Sequence, residues 1–230
     1  MEIINSYDKL PLGMYLEIYD LCEDTNMEED DRQMEIISIL SGKSVDDLLR
    51  MPIPEFKRLS AQTKFLEEEF PHGKGKIPKV FHFDGMTLEV TTNITKMTTA
   101  QYVDFQTFSE MGRSKLVELL SCFFIPKGME YNEGYDVLEV QDVLRKNLSV
   151  TEALTLSAFF LNRCRDLIQI TLIYSALMLK KATKKKDQRR MALMKEITQL
   201  QVDLQNNGDG WTMLCQWWKL PMRHGHRSGR

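Results

Sequence analysis

Leu12, Tyr15, Leu16 and Tyr19 recur three and four residues apart, the spacing that lines one face of an α-helix. Pro11 suits the first turn of that helix, because its fixed φ is already helical and its missing N–H is no loss there. The chain therefore opens with a helix starting near Leu10. The acidic stretch Glu23 to Asp31 reads as a solvated loop leading into a second helix over Asp31–Leu40, which Ser41-Gly42-Lys43 ends. Ser44 and Asp47 have the spacing of a capping box and start a short third helix. Met51-Pro-Ile-Pro54 interrupts it, since proline removes a donor and restricts the residue before it. A fourth helix follows over Glu55–Glu69, with Phe56, Leu59, Phe65 and Leu66 as its apolar positions.

The periodicity then changes. Pro71 to Pro78 is a linker, and beyond it Val80–Phe83 and Met86–Val90 alternate around Asp84-Gly85. An Asp-Gly pair between alternating segments marks a two-residue hairpin. A lone hairpin is marginal in water, so this one needs a helix to lie on or strands from a partner. Helical spacing returns over Thr98–Glu110, with Thr98 and Gln101 as a capping box, and over Ser114–Phe124, which Ile125-Pro-Lys-Gly128 closes. After an insert, a helix near Asp136–Lys146 leads to Ser149 and Glu152, a further capping box. The helix it starts continues beyond Leu179 into a polar, basic stretch with Met191, Leu193, Met194, Ile197, Leu200 and Leu204 as its stripe. Asn206 to Gly210 stops it.

Two segments of this order repeat. Tyr15-Leu-Glu-Ile18 aligns with Tyr102-Val-Asp-Phe105, and Glu35-Ile-Ile-Ser-Ile-Leu40 with Glu118-Leu-Leu-Ser-Cys-Phe123. Ile53-Pro-Glu-Phe56 pairs more loosely with Val150-Thr-Glu-Ala153. The expected fold is mainly α: two diverged copies of a small helical module joined by a short β hairpin, with a long C-terminal helix. The division is module 1 over 1–70, linker and hairpin over 71–96, module 2 with the long basic helix over 97–206, and a Trp-rich basic tail over 207–230. A repeated framework without a repeated reactive residue points to a binding surface rather than an active site.

With 230 residues, 43% hydrophobic and 27% charged, the composition is that of a globular protein. Charge is unevenly placed: residues 1–70 carry 17 Asp and Glu against 7 Lys and Arg, and residues 180–230 carry 12 Lys and Arg against 4 Asp and Glu. Such polarity suits head-to-tail association or contact of the basic end with an acidic surface, and equally two solvated ends. The four cysteines are scattered without a CxxC pair, which argues against a zinc site or disulfide framework and suits a reducing compartment. No signal peptide is read at the N-terminus. Leu167–Leu179 is apolar but too short to span a bilayer, so a buried helix and no membrane partner are expected.

No motif for catalysis, cofactor or metal emerges. Gly42-Lys43-Ser44 resembles the end of a phosphate loop but lacks the earlier glycine and the preceding strand, so it reads as a helix cap. His224 and His226 sit in the tail, and His72 and His82 lack a partner at ligand spacing. Two features stand out. Lys180, Lys181, Lys184, Lys185, Lys186, Arg189 and Arg190 form a run with one anion, able to neutralise phosphates or simply to face solvent. No aromatics interleave it, so base stacking is not supported. Trp211, Trp217 and Trp218 are either anchors for a partner pocket or a cover for their own module.

The segments Leu10–Tyr19, Glu35–Lys43 and Pro54–Leu66, and more weakly their second copies, resemble small helical tail assembly chaperones of tailed bacteriophages, including crAss-like phages of Bacteroides-type hosts. The likeness covers about two thirds of the chain and is a pattern of apolar and turn residues. It implies a non-enzymatic morphogenesis protein without cofactor, binding other phage structural proteins of the tail or head–tail region, or itself, in the host cytoplasm during assembly. The expected partner-binding residues are Tyr15, Tyr19, Tyr102, Phe105, Trp211, Trp217 and Trp218. The fused second module, the hairpin and the basic tail are departures. They fit a virion subunit of the head–tail region, or one packaged with the genome, whose hairpin pairs with neighbouring subunits and whose basic run contacts DNA.

Overall fold

The computed structural model describes residues 3–68, 77–83, 85–93, 96–160 and 162–163, together with residue 195. Over these the chain is mainly helical with one small sheet. Helix α1 spans Leu12–Glu23, α2 Glu29–Ser41, α3 Val45–Leu49 and α4 Ile53–Gln62. The strands are β1 Val80–Phe83, β2 Met86–Val90 and β3 Phe124–Pro126. Helix α5 spans Thr99–Glu110, α6 Leu116–Ser121 and α7 Val137–Asn147, and α8 runs over 150–160. Its continuation into a long basic helix, and the tail, lie outside the described residues.

Local capping chemistry explains several boundaries. Thr98 Oγ1 accepts from Gln101 N–H while the Gln101 side chain accepts from Thr98 N–H, the reciprocal box that satisfies two orphan donors. Ser149 and Glu152 do the same at the start of α8. Ser44 Oγ accepts from Asp47 N–H at the start of α3, and Gly42 caps α2, so the phosphate-loop-like triplet is a pair of helix caps.

The fourth helix differs from expectation at both ends. The break after α3 falls at residues 50–52, and α4 starts at Ile53 rather than Glu55, with Pro54 inside its first turn, because the N–H it lacks would have no helical partner there. The α-helix stops at Gln62 and tightens into a 3-10 turn over Thr63–Glu67. Likewise, Glu29–Asp31 is the first turn of α2 rather than a loop, where the helix dipole favours acidic side chains. Helix α6 is shorter than expected, being preceded by a 3-10 turn over Gly112–Lys115.

Phe83 pairs with Met86, and Gly85 takes φ +82°, so the Asp-Gly hairpin forms as expected. It is not alone. Strand β3 adds antiparallel to β2, with Leu88 opposite Pro126 and Val90 opposite Phe124. Pro126 is tolerated because, among the described residues, β3 is an edge strand with no further neighbour needing its missing N–H. The alternation sorts the sheet into a buried face of Phe81, Leu88, Val90, Phe124 and Pro126 and an outer face that includes His82 and Glu89.

One hydrophobic cluster runs through the helices and the sheet. Phe123 stacks on Phe160 with centroids 3.5 Å apart, and Phe105 meets Phe123 edge-on at 5.3 Å. Helix α1 packs on both α2 and α7, so residues from the first 70 positions share a core with those after 97.

Candidate interaction surface

The expected partner-binding residues separate into three groups. Tyr15 is completely buried, with Ile18 beside it in the core face of α1. Phe105 is 4% exposed and wedged against Phe123. Both are corrected from docking residues to core: the apolar periodicity that nominated them is the one that directs a helix face inward. Burying Tyr15 contributes on the order of 1.5–3 kcal/mol to folding. Tyr19 and Tyr102 are half-buried, and the Tyr19 hydroxyl donates to Glu23 Oε1 at 2.9 Å. Trp211, Trp217, Trp218 and the run Lys180, Lys181, Lys184, Lys185, Lys186, Arg189 and Arg190 lie outside the described residues.

Exposed apolar side chains lie elsewhere. Leu49 is 65% and Ile53 70% exposed, four residues apart across the turn from α3 into α4. Pro52 and Pro54 are exposed between and after them, so the corner presents four exposed apolar side chains interrupted by the exposed Arg50. Proline fixes that backbone and lowers the entropy a partner must remove on docking. By sequence this joint reads only as a helix breaker. Its signal was the apolar character of Leu49 and Ile53 at positions where helical spacing gives them no inward direction. On the second half, Val103 and Met111 of the α5 segment and Leu138 of α7 are also exposed.

The polar groups inside the fold are structural. Arg32 is 6% exposed, and its guanidinium donates from Nε to Leu21 O at 3.0 Å and from Nη2 to Asp24 O at 2.8 Å and Met27 O at 3.0 Å. Nη1 pairs with Glu29. A single buried cation thus collects the carbonyls that the end of α1 and its loop leave unpaired. Tyr7 donates to Leu66 O at 3.1 Å and packs edge-on against Phe65, and burial raises its hydroxyl pKa. Cys22 and Cys122 are free thiols, pushed up to about 11 and about 12 chiefly by burial, so neither is a poised nucleophile at neutral pH.

Tyr131 donates to Asp104 Oδ2 at 2.9 Å, and its hydroxyl lies 3.6 Å from Cys122 Sγ. Burial and both neighbours raise the tyrosine pKa, so this hydroxyl stays protonated and acts as a tether. Among the described residues, no group of three or more His, Cys, Asp or Glu side chains is placed to hold a metal ion. No helix among them is long and apolar enough to cross a membrane. No protein-family model, curated protein or solved structure matches the chain.

Proposed function

We propose that this chain is a non-enzymatic bacteriophage morphogenesis protein, a tail assembly chaperone-like factor that works by binding other structural proteins in the host cytoplasm. The observation that carries the binding role is the Leu49–Ile53 corner, an apolar surface held by two prolines on a folded helical scaffold. Such a patch costs solubility and is retained where a partner covers it. The phage assignment rests on the sequence resemblance, whose segments Glu35–Lys43 and Pro54–Leu66 flank this corner. The paired helices α1 with α2 and α5 with α6 support a duplicated module that has kept its framework while its surface diverged.

The second reading, a virion subunit of the head–tail region, is favoured by one feature. Strand β1 has β2 on one side and no described strand on the other, which leaves an edge able to extend a neighbour's sheet. In that reading the basic run of 180–190 faces DNA.

The test is affinity capture from infected cells with wild-type chain beside Ile53→Asp. Ile53 is exposed and opens α4, where an acidic residue is tolerated by the helix dipole, so the variant keeps its fold. Phage tail proteins captured by the wild type and lost from the variant are expected. Equal capture by both would remove the corner from the binding surface, and capture of no phage protein would remove the phage assignment.

A further inference from the structure

The segment Lys127–Asp136, between β3 and α7, is exposed along most of its length but carries two half-buried tyrosines, Tyr131 and Tyr135. It turns on three residues of positive φ: Gly128 at +81°, Asn132 at +58° and Gly134 at +76°. Its own short-range bonds make it a preformed loop: Met129 N–H donates to Pro126 O at 3.0 Å, Glu133 N–H to Glu130 O at 3.0 Å, and Asn132 N–H to the Tyr135 hydroxyl at 3.3 Å. None of these three holds it to the helices. That attachment is made by the Tyr131 side chain, whose hydroxyl reaches across to Asp104 on α5 and lies over Cys122 at the end of α6.

We infer that Lys127–Asp136 is a latched strap: Tyr131 bonded to Asp104 holds it shut over Cys122, and it opens as a unit while the rest of the fold stays intact. Three physical features support independent opening. Glycine at both ends of the turn region swings at low steric cost. Internal hydrogen bonds travel with the strap, and its two ends stay pinned, Lys127 by its N–H to Thr87 O at 2.9 Å and Asp136 by capping α7 through Leu138 N–H at 2.9 Å. The polar part of the latch is one side-chain hydrogen bond at a partly buried site, set beside the half-buried Tyr131 and Tyr135 rings that rest on the core, so its loss shifts the strap toward the open state without touching the ring packing. Opening uncovers Asp104 on α5 and the Cys122 thiol at the end of α6, and makes access to both conditional on the latch. Because the closed thiol is buried and held protonated, its alkylation reports the open state.

The experiment is alkylation of the full chain by iodoacetamide under native conditions, with Cys122 and Cys22 followed separately by peptide mass spectrometry. Cys22 on α1, buried in the common core, reports opening elsewhere. Tyr131→Phe removes the latch and keeps the ring, so Cys122 labelling should rise about fivefold or more while Cys22 is unchanged, the ratio expected for loss of one hydrogen bond. Asp104→Ala should match it, and Asp104→Asn, which keeps an acceptor oxygen, should stay near wild type. If Cys122 labelling is unmoved by Tyr131→Phe and Asp104→Ala, or if both cysteines accelerate together, the strap is not a separately opening element and the inference is overturned.

Discussion

The backbone N–H of Leu12 donates to the carbonyl of Leu148 at 2.8 Å, and the return bond runs from Val150 N–H to Leu10 O at 2.9 Å. Positions more than 130 residues apart are thus stitched as a bridge, and all four of these side chains have no exposed surface. The bridge sets the start of α1 against the end of α7 and the start of α8. A Cβ on Gly13 would lie 3.0 Å from the carbonyl oxygen of Arg145, a tighter contact than nearly all real Cβ atoms make, so the two backbones approach closely there.

Gly13→Val therefore has to push α1 off α7. The helix gains propensity, but the clash is with backbone and cannot be relieved by a rotamer change. A loss of about 1–3 kcal/mol is expected from urea unfolding. An unchanged or raised midpoint would show that the two helices are free to separate.

Arg32 supplies donors to three carbonyls at once. Arg32→Met strips the donor from the carbonyls of half-buried Leu21 and Met27 and of exposed Asp24, and a loss of about 1–3 kcal/mol is expected. Arg32→Lys should recover little, because an ammonium cannot reproduce the planar fork. Urea midpoints of the three proteins decide this, and full recovery by lysine would contradict the staple.

Alkaline pH should destabilise the fold. Cys22 and Cys122 have folded values of about 11 and about 12 against an ordinary 9.0. A thiol whose pKa is raised on folding contributes fully below its unfolded value and loses that contribution as pH rises toward the folded one. Stability should be flat below the ordinary thiol value and fall between it and the folded values, by up to about 1 kcal/mol per pH unit for each thiol. Cys122→Ala should shallow the slope. A midpoint that rises over this range would reverse the sign and refute the burial argument.

Truncation after Gly210 removes all three tryptophans. If they anchor a partner, the shortened chain unfolds with the same cooperativity in urea and fails to capture the proteins the full chain captures. Loss of cooperative unfolding would instead assign the tryptophans to the chain's own core.

Local chemistry made much of the fold readable. The capping pairs at Thr98 with Gln101 and Ser149 with Glu152, and the Asp-Gly turn, act over a few residues, and each appears where the sequence places it. Strand β3 was not readable, because Phe124-Ile-Pro126 is three residues long and contains the residue that usually ends a strand or helix. Its stability comes from pairing with β2, a relationship more than 30 residues away in sequence. Arg32 was hidden for a similar reason: an arginine among acids reads as surface, and only the returning loop carbonyls make a buried site for it. The surface was the least legible part. Apolar periodicity marks Tyr15 and Phe105 equally well as core or groove, and burial alone separates the two.

The most direct test of the assembly-factor account is quantitative mass spectrometry of purified phage particles beside the infected-cell lysate. The account predicts that the chain is abundant in the lysate and absent from finished particles. Stoichiometric presence in the particles would contradict it and make the chain a structural subunit of the virion.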